Sequence, residues 1–225
     1  MPPAARAVLL ALADQRLPTG GHVHSGGVEQ AVTEGRVHDE SSLCAFLRER
    51  LETTGLVAAG IAAAAVGVGA PMLDALDAEA DARMPSPSAR AASRAQGRGL
   101  LRLARGAWAA PGPDIGWRDL GERPHHPVVL GLAARAAGAD SYDAALIAAY
   151  LALTGPSTAA QRLLGLDPIA LAVATLGLSD VVEAVATAAN SSAAGPLTDL
   201  PDVASPTVDL LVERHARRTD RLFSS

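Results

Sequence analysis

Apolar residues along most of the chain recur at the three- and four-residue spacing that places side chains on one face of an α-helix. Near the carboxyl end, Val208, Leu211, Val212 and His215 fall at i, i+3, i+4 and i+7, whereas Asp209 falls on another face. The strict alternation of apolar and polar residues that is typical of a half-buried strand is scarce. The pattern therefore predicts an all-α protein.

Prolines and glycines divide this helical pattern into elements. A capping side chain precedes a proline at Ser86-Pro87, Asp167-Pro168 and Ser205-Pro206, which marks three helix starts. Thr154-Gly155-Pro156 predicts a break between two helices. We expect a single domain over residues 1–225, a bundle of about eight to nine helices. The predicted helices lie near residues 4–14, 26–35, 40–66, 87–109, 126–138, 142–154, 157–165, 168–190 and 206–219, with an exposed loop at 110–124.

Composition supports a helical fold and narrows the function classes. The 225 residues are 49% hydrophobic but only 3% aromatic, and much of the apolar content is alanine, which favours closely packed helices. The formal net charge of −5 argues against binding to nucleic acid or to an anionic membrane, since both require a surplus of positive charge. The chain has no lysine, which excludes a Schiff-base lysine and the phosphate-binding lysine of P-loop proteins.

Two apolar stretches are long enough to require comparison with a membrane span. Leu56–Met72 is mostly alanine and glycine, and Ala144–Leu166 contains Arg162, so neither has the density of large apolar residues of a spanning helix. Met1–Gln15 has too short an apolar run for a signal peptide. The single Cys44 allows neither an intrachain disulfide nor a thiolate zinc cluster. We expect both stretches to be buried core helices in a cytoplasmic protein.

The most unusual segment, which we call the glycine-rich loop, runs from Pro18 to Glu29 between two predicted helices. Its four glycines indicate a tightly shaped turn. Two of them precede the next helix as in an anion-binding loop, but no predicted strand comes before them and no lysine follows, which disfavours a nucleotide site. His22 and His24 could offer two imidazoles to a metal, yet no third ligand lies near them in sequence. We expect a structural and interfacial role for the loop.

Residue types that could catalyse a reaction are present but poorly placed in the sequence. His125 and His126 follow a loop and open a helix, which predicts cap and surface histidines, and no acid lies close to them in sequence. Ser25, Ser157 and Ser179 lack the strand–turn–helix setting of an activated serine. The sequence shows no pair of carboxylates and no triad that would indicate an active site.

Charged residues form two neighbouring runs. Four acids lie between Asp74 and Asp81, and the following helix carries arginines, four of them at successive i, i+4 steps from Arg90 to Arg102. Like charges at this spacing repel one another by a few tenths of a kcal/mol per pair. The arginines therefore form either a solvated face neutralised by the acids or a basic strip, with Arg94 and Arg98 at its centre, that receives an acidic surface of a protein partner.

The carboxyl-terminal tail, residues 220–225, lies beyond the last predicted helix and contains Arg221, Leu222 and Phe223. Phe223 is one of only two phenylalanines in the chain. A large apolar side chain at a chain end either packs back on the body or docks on a partner, because leaving it in water wastes its burial energy. We expect the tail to be a docking element that becomes ordered on assembly.

Several motifs occur together in a characteristic order. Residues 9–32, LLALADQRLPTGGHVHSGGVEQAV, are followed by an Arg-x-x-Ser-x-x-x-Gly helix that starts at Arg90, by His126-Pro127, by Arg162-Leu163 and by an ending from Glu213 to Ser224. Over most of its length the chain therefore resembles the urease accessory protein UreF family. His22 departs from the family pattern, which has Tyr or Phe there, so His22 and His24 are not a general metal site of the family.

The resemblance implies an all-α homodimer that has no catalytic residues, cofactor or metal site of its own. It implies partnership with the accessory protein UreD (also called UreH), the GTPase UreG and urease apoprotein, in a complex that couples GTP hydrolysis to nickel insertion. Binding to nucleic acid or membranes is not expected. The residues expected to contact partners are Pro18, Gly20, His22, His24, Ser25, Glu29, Arg94, Arg98, Arg162, His215, Arg221, Leu222 and Phe223.

Two alternatives involve metal chemistry. The first is direct nickel carriage through His22 and His24. The second is a small helical metalloenzyme that uses these two residues, His126 and a distant acid. The sequence leaves open whether the chain activates GTP hydrolysis or only recruits the GTPase.

Overall fold

The computed structural model describes residues 3–19, 21–108 and 115–223, and every regular element in these ranges is helical. A π-helical turn over Leu51–Gly55 joins helix α3 (Glu40–Arg50) to helix α4 (Leu56–Gly67) without a break. The eleven α-helical segments of the described residues therefore form ten helices, nine of them with seven or more residues. The prediction of an all-α fold is confirmed. The segments are α1 (Pro3–Leu12), α2 (Val28–Thr33), α3 (Glu40–Arg50), α4 (Leu56–Gly67), α5 (Leu73–Ala82), α6 (Pro87–Ala107), α7 (His126–Ala136), α8 (Ser141–Leu164), α9 (Pro168–Leu176), α10 (Ser179–Ala193) and α11 (Pro206–Ala216).

The three helix starts predicted from a capping residue before proline are confirmed. Ser86, Asp167 and Ser205 each accept a hydrogen bond from the backbone N–H three residues further on, at 3.0–3.2 Å. In each case the following proline occupies the first helical position, where its missing N–H is not needed. These caps fix the starts of α6, α9 and α11.

Helix α4 lies at the centre of the fold and packs against α7, α8 and α10. Its side chains are small, and Ile61 and most of the surrounding alanines are fully buried. Small residues allow the helix backbones to approach closely. At the crossing of α4 with α7, a Cβ on Gly131 would collide with the carbonyl oxygen of Ala62. The alanine-rich composition is therefore explained by closely packed helices rather than by large core side chains.

The largest differences from the sequence prediction concern three parts of the fold. Helix α8 continues through Gly155 and Pro156, because its buried face packs on α4 and α10 and offsets the hydrogen bond that the proline cannot make. The segment predicted as one helix over 168–190 is two helices, α9 and α10, bent by 42°. Helix α5 occupies the acidic run, where no helix was predicted, and buries Leu73, Leu76 and Ala80.

Within the described ranges, no single helix is long and apolar enough to cross a membrane. A bent pair in the same ranges, α9 and α10, reaches that length and composition when its two helices are taken together. The two apolar stretches singled out in the sequence form α4 and α8, whose apolar side chains are largely buried in the core, as predicted.

Candidate functional site

Glu29, in the first turn of α2, is the point where the glycine-rich loop meets the carboxyl-terminal tail. Its Oε1 accepts a hydrogen bond from the backbone N–H of Leu222 at 2.7 Å, and its Oε2 accepts one from the N–H of Phe223 at 2.9 Å. The same Oε2 lies 2.8 Å from Nε2 of His215 on α11. These four residues, which we call the tail clasp, join chain segments that are almost 200 positions apart.

The tail clasp holds a carboxylate in a nearly closed environment. The side chain of Glu29 is 5% exposed and that of His215 is 0% exposed. Burial alone would raise the pKa of Glu29, but the N–H groups of Leu222 and Phe223, together with His215, stabilise the ionised form and lower the pKa. The ionised carboxylate is thus the form that holds the tail in place.

The two apolar residues of the tail have opposite environments. Phe223 is 7% exposed and packs in the hydrophobic core, whereas Leu222 is 69% exposed. Arg221 is also exposed, and its Nη1 donates a 3.4 Å hydrogen bond to the carbonyl oxygen of Ala216. The sequence left two alternatives for a large apolar residue at this chain end, packing on the body or docking on a partner. Phe223 packs on the body, while Arg221 and Leu222 remain on the surface. The partner role of these three residues stays a prediction.

Backbone conformation explains two glycines of the loop. Gly26 and Gly27 have φ angles of +58° and +91°, in the left-handed region that side-chain-bearing residues resist. Gly26 is further constrained because a Cβ there would lie 2.9 Å from Cζ of Arg50, whose guanidinium packs on the loop.

The other predicted partner residues of the loop differ in exposure. Ser25 is fully buried and Pro18 is exposed. Gly20 and the side chain of His22 lie outside the described part of the structure.

The histidines of the loop and of α7 are brought together in space. His24 and His126, both half-buried, line the same cavity. Burial, and secondarily the nearby His24, lowers the pKa of His126 to about 4. His126 is therefore a neutral imidazole at neutral pH. Among the described residues, no group of three or more His, Cys, Asp or Glu side chains is arranged to hold a metal ion.

His125 has a buried hydrogen-bonded environment that the sequence did not predict. Its Nδ1 lies 3.0 Å from Oγ of Ser93 on α6, and its Nε2 lies 2.8 Å from Oδ1 of Asp81 on α5. The side chain is 0% exposed, so the prediction of a surface histidine is wrong. An acid is also its direct neighbour in space, although none is near in sequence. The three residue types are those of a serine–histidine–aspartate triad, but the ring nitrogens are exchanged, since in a triad Nε2 faces the serine and Nδ1 the aspartate.

The surroundings of this trio indicate that it stabilises the fold. Oγ of Ser93 also lies 3.3 Å from the backbone N–H of His126, and Asp81 is paired with Arg94 at 2.5 Å. Burial lowers the pKa of His125, against the opposing effect of Asp81. Each group thus has a structural partner, and together they tie α5, α6 and the start of α7. The acidic run that precedes α6 in the sequence is the signal from which this network could have been predicted.

The arginines of α6 do not form one uniform strip. Arg94 is 25% exposed, pairs with Asp77 at 2.9 Å and donates to the carbonyl oxygen of Arg123 at 2.6 Å. Arg98 is exposed, and none of the described residues forms a hydrogen bond or ion pair with it. The acids of α5 therefore neutralise Arg94 within the fold, and the partner contacts predicted for Arg94 and Arg98 stay predictions. Arg162 is exposed in the last turn of α8, and its partner role stays a prediction.

Comparison of the sequence with known proteins identifies a family and close relatives of this chain. The UreF family profile matches residues 37–179. The chain is 51% identical over 221 residues to a protein of Mycolicibacterium vanbaalenii, covering 97% of this chain and 98% of that protein. It is 48% identical over 219 residues to a protein of Mycobacterium tuberculosis, covering 97% and 98%. Both relatives are named urease accessory protein UreF.

The match decides the question of catalysis. UreF proteins are non-catalytic accessory proteins of urease, so the metalloenzyme alternative with His22, His24 and His126 is wrong. The Ser93–His125–Asp81 trio accordingly has a structural role. The predicted resemblance is confirmed over nearly the full length, and the chain belongs to the UreF family of urease accessory proteins.

Proposed function

We propose that this chain is the scaffold of a cytoplasmic urease-maturation complex. It joins UreD (UreH) and the GTPase UreG, engages urease apoprotein, and regulates the GTPase during nickel insertion. The observation that carries the proposal is a sequence identity of 48–51%, over 97% of this chain, with proteins named urease accessory protein UreF.

The tail supports this proposal with a surface suited to docking. Arg221 and Leu222 are exposed side by side on a segment whose backbone is held by Glu29. An exposed leucine offers apolar area, and a guanidinium offers donors for a partner carboxylate or carbonyl groups. The tail clasp fixes the backbone of this segment in the free chain. Binding therefore loses less conformational entropy than it would with an unrestrained tail.

Helix α9 supports self-association as a homodimer. It buries only Leu171, and three large apolar side chains on it, Ile169, Val173 and Leu176, are 64–74% exposed. Exposed Arg162 precedes this helix and exposed Asp180 follows it. Antiparallel contact of α9 with a second copy would bring Arg162 of one copy close to Asp180 of the other, so the face is self-complementary.

Copurification tests the scaffold role. The full-length chain is coexpressed with tagged UreD and with UreG, and the complex is analysed by size-exclusion chromatography in the presence of Mg²⁺ and GTP. We expect one species that contains all three proteins. The doubly substituted Arg221→Ala, Leu222→Asp chain should stay folded and fail to enter it, whereas the matched exposed change Arg36→Ala should have no effect. A stable UreD–UreG species that excludes this chain contradicts the proposal.

A further inference from the structure

A cavity of about 210 Å³ lies between the glycine-rich loop, α3, α6, α8 and α11, and includes no member of the tail clasp. A single water needs about 10–15 Å³ on such a measure, so the cavity has room for a short organic molecule. Its wall is partly apolar, and this lining includes Val57, Leu151, Val208 and Val212. The polar part includes Arg50, Asp209, His24, His126, Gln15 and Gln96.

Arg50 lines this cavity, and part of its guanidinium has no hydrogen-bond acceptor among the described residues. Its Nη1 donates to the carbonyl oxygen of Gly26 at 3.0 Å. Its Nε is buried and makes no hydrogen bond to the described residues, and Nη2 makes none with them either. The Nε–Nη2 edge is the side of a guanidinium that binds a carboxylate with two parallel hydrogen bonds. A buried donor without an acceptor is costly, so this edge favours a ligand.

The charges around Arg50 limit the kind of ligand. Burial lowers the pKa of Arg50 to about 10, so it remains a cation at neutral pH. The second arginine of the lining, Arg83, is already paired with Glu79, and His126 is neutral. Asp209 lies near Arg50 without forming an ion pair to it in the described structure, and burial, followed by Glu213, raises the pKa of Asp209. One available cation beside an acid suits a monoanion better than a phosphate dianion.

We propose that this cavity binds a short monocarboxylate, with its carboxylate on the Nε–Nη2 edge of Arg50 and its alkyl chain against Val208 and Val212. The planar guanidinium matches the two oxygens of a carboxylate, and the apolar wall covers the hydrocarbon. This site goes beyond the accessory role and does not depend on it, because it requires only the isolated chain.

Isothermal titration calorimetry on the full-length chain, with butyrate as the probe and butyramide as the neutral control, tests the proposal. We expect saturable binding of butyrate, at least about tenfold weaker binding of butyramide, and a loss of at least about tenfold in Arg50→Met. The matched exposed change Arg98→Met should leave binding unchanged. Asp209→Asn should tighten binding, because it removes the competing acid.

Ala58→Leu provides a second route that keeps Arg50 intact. Ala58 is half-buried and lines the cavity, so a larger side chain occupies the ligand space and should abolish binding while leaving the melting temperature near that of the original protein. The absence of saturable butyrate binding overturns the proposal. Equal affinity for butyramide, or undiminished butyrate binding in folded Arg50→Met or Ala58→Leu, also overturns it.

Discussion

Oε2 of Glu29 lies 2.8 Å from Nε2 of His215, a contact between residues 186 positions apart that is closed to solvent on both sides. Glu29 is the last residue of the glycine-rich loop and lies in the first turn of α2, and His215 lies in the last turn of α11, shortly before the carboxyl-terminal tail. The same carboxylate holds the backbone of Leu222 and Phe223. The two ends of the chain that carry the family's most distinctive motifs are therefore one structural unit.

Replacing this carboxylate should release the tail. Glu29→Gln removes the charge that the two N–H groups and His215 stabilise, and we expect a loss of about 2 kcal/mol in the free energy of unfolding. Urea denaturation measures the loss, and hydrogen exchange should show faster exchange of the N–H groups of Leu222 and Phe223. The exposed change Glu52→Gln should alter stability by less than about 0.5 kcal/mol. A Glu29→Gln chain with unaltered exchange at Leu222 would show that the clasp does not hold the tail.

Local sequence signals predicted most of the helices but could not predict this unit. Ser86-Pro87 and Ser205-Pro206 mark helix starts because the cap and the first turn are neighbours in sequence. The contact between Glu29 and His215 depends on how distant helices pack, and sequence periodicity identified His215 only as part of a buried face. The family motif did indicate that Glu29 matters, although it did not indicate which group Glu29 holds.

Two arginines of α6 should differ in their contribution to stability, because Arg94 is ion-paired within the fold and Arg98 lies exposed on the surface. Arg94→Ala should cost about 2–4 kcal/mol in the free energy of unfolding, because Asp77 and Asp81 lose the cation that pairs with them. Arg98→Ala should change stability by less than about 0.5 kcal/mol. Thermal and urea denaturation of both variants measure the difference. Equal stability of the two variants would show that the Arg94 ion pairs contribute nothing to the fold.

Stability should fall with pH below neutrality because of His126. Its pKa is about 4 in the folded chain and about 6.5 in an unfolded one, so the unfolded state binds more protons between these values. The contribution is complete above pH 6.5 and is lost as the pH falls towards 4, at a cost of about 3 kcal/mol. His126→Asn should flatten this part of the curve of unfolding free energy against pH. The exposed change His38→Asn serves as the control, and an equal slope in His126→Asn contradicts the prediction.

The exposed face of α9 should control self-association. Val173→Asp places a charge in the middle of this face, and since Val173 is 64% exposed, we expect no loss of monomer stability but a shift from dimer to monomer in sedimentation velocity. Leu210→Asp, at another exposed position on α11, should leave the dimer intact. A dimer that persists in Val173→Asp would place the interface elsewhere.

Pro156 shows why some boundaries were predicted wrongly. A proline after glycine usually ends a helix, and the sequence gives no measure of the tertiary packing that opposes it. In the structure Pro156 is buried and α8 packs against the central helix α4. The trio Ser93, His125 and Asp81 was missed for a related reason, since its members lie on three different elements.

Nickel content and activity of urease, measured together in cells, test the central claim most directly. In a host that carries the urease genes and those of UreD and UreG, deletion of this chain should yield urease protein that lacks nickel and activity. Reintroducing the original chain should restore both, and the chain with Arg221→Ala and Leu222→Asp should not. Urease that acquires its full nickel and activity in the deletion strain would contradict the account.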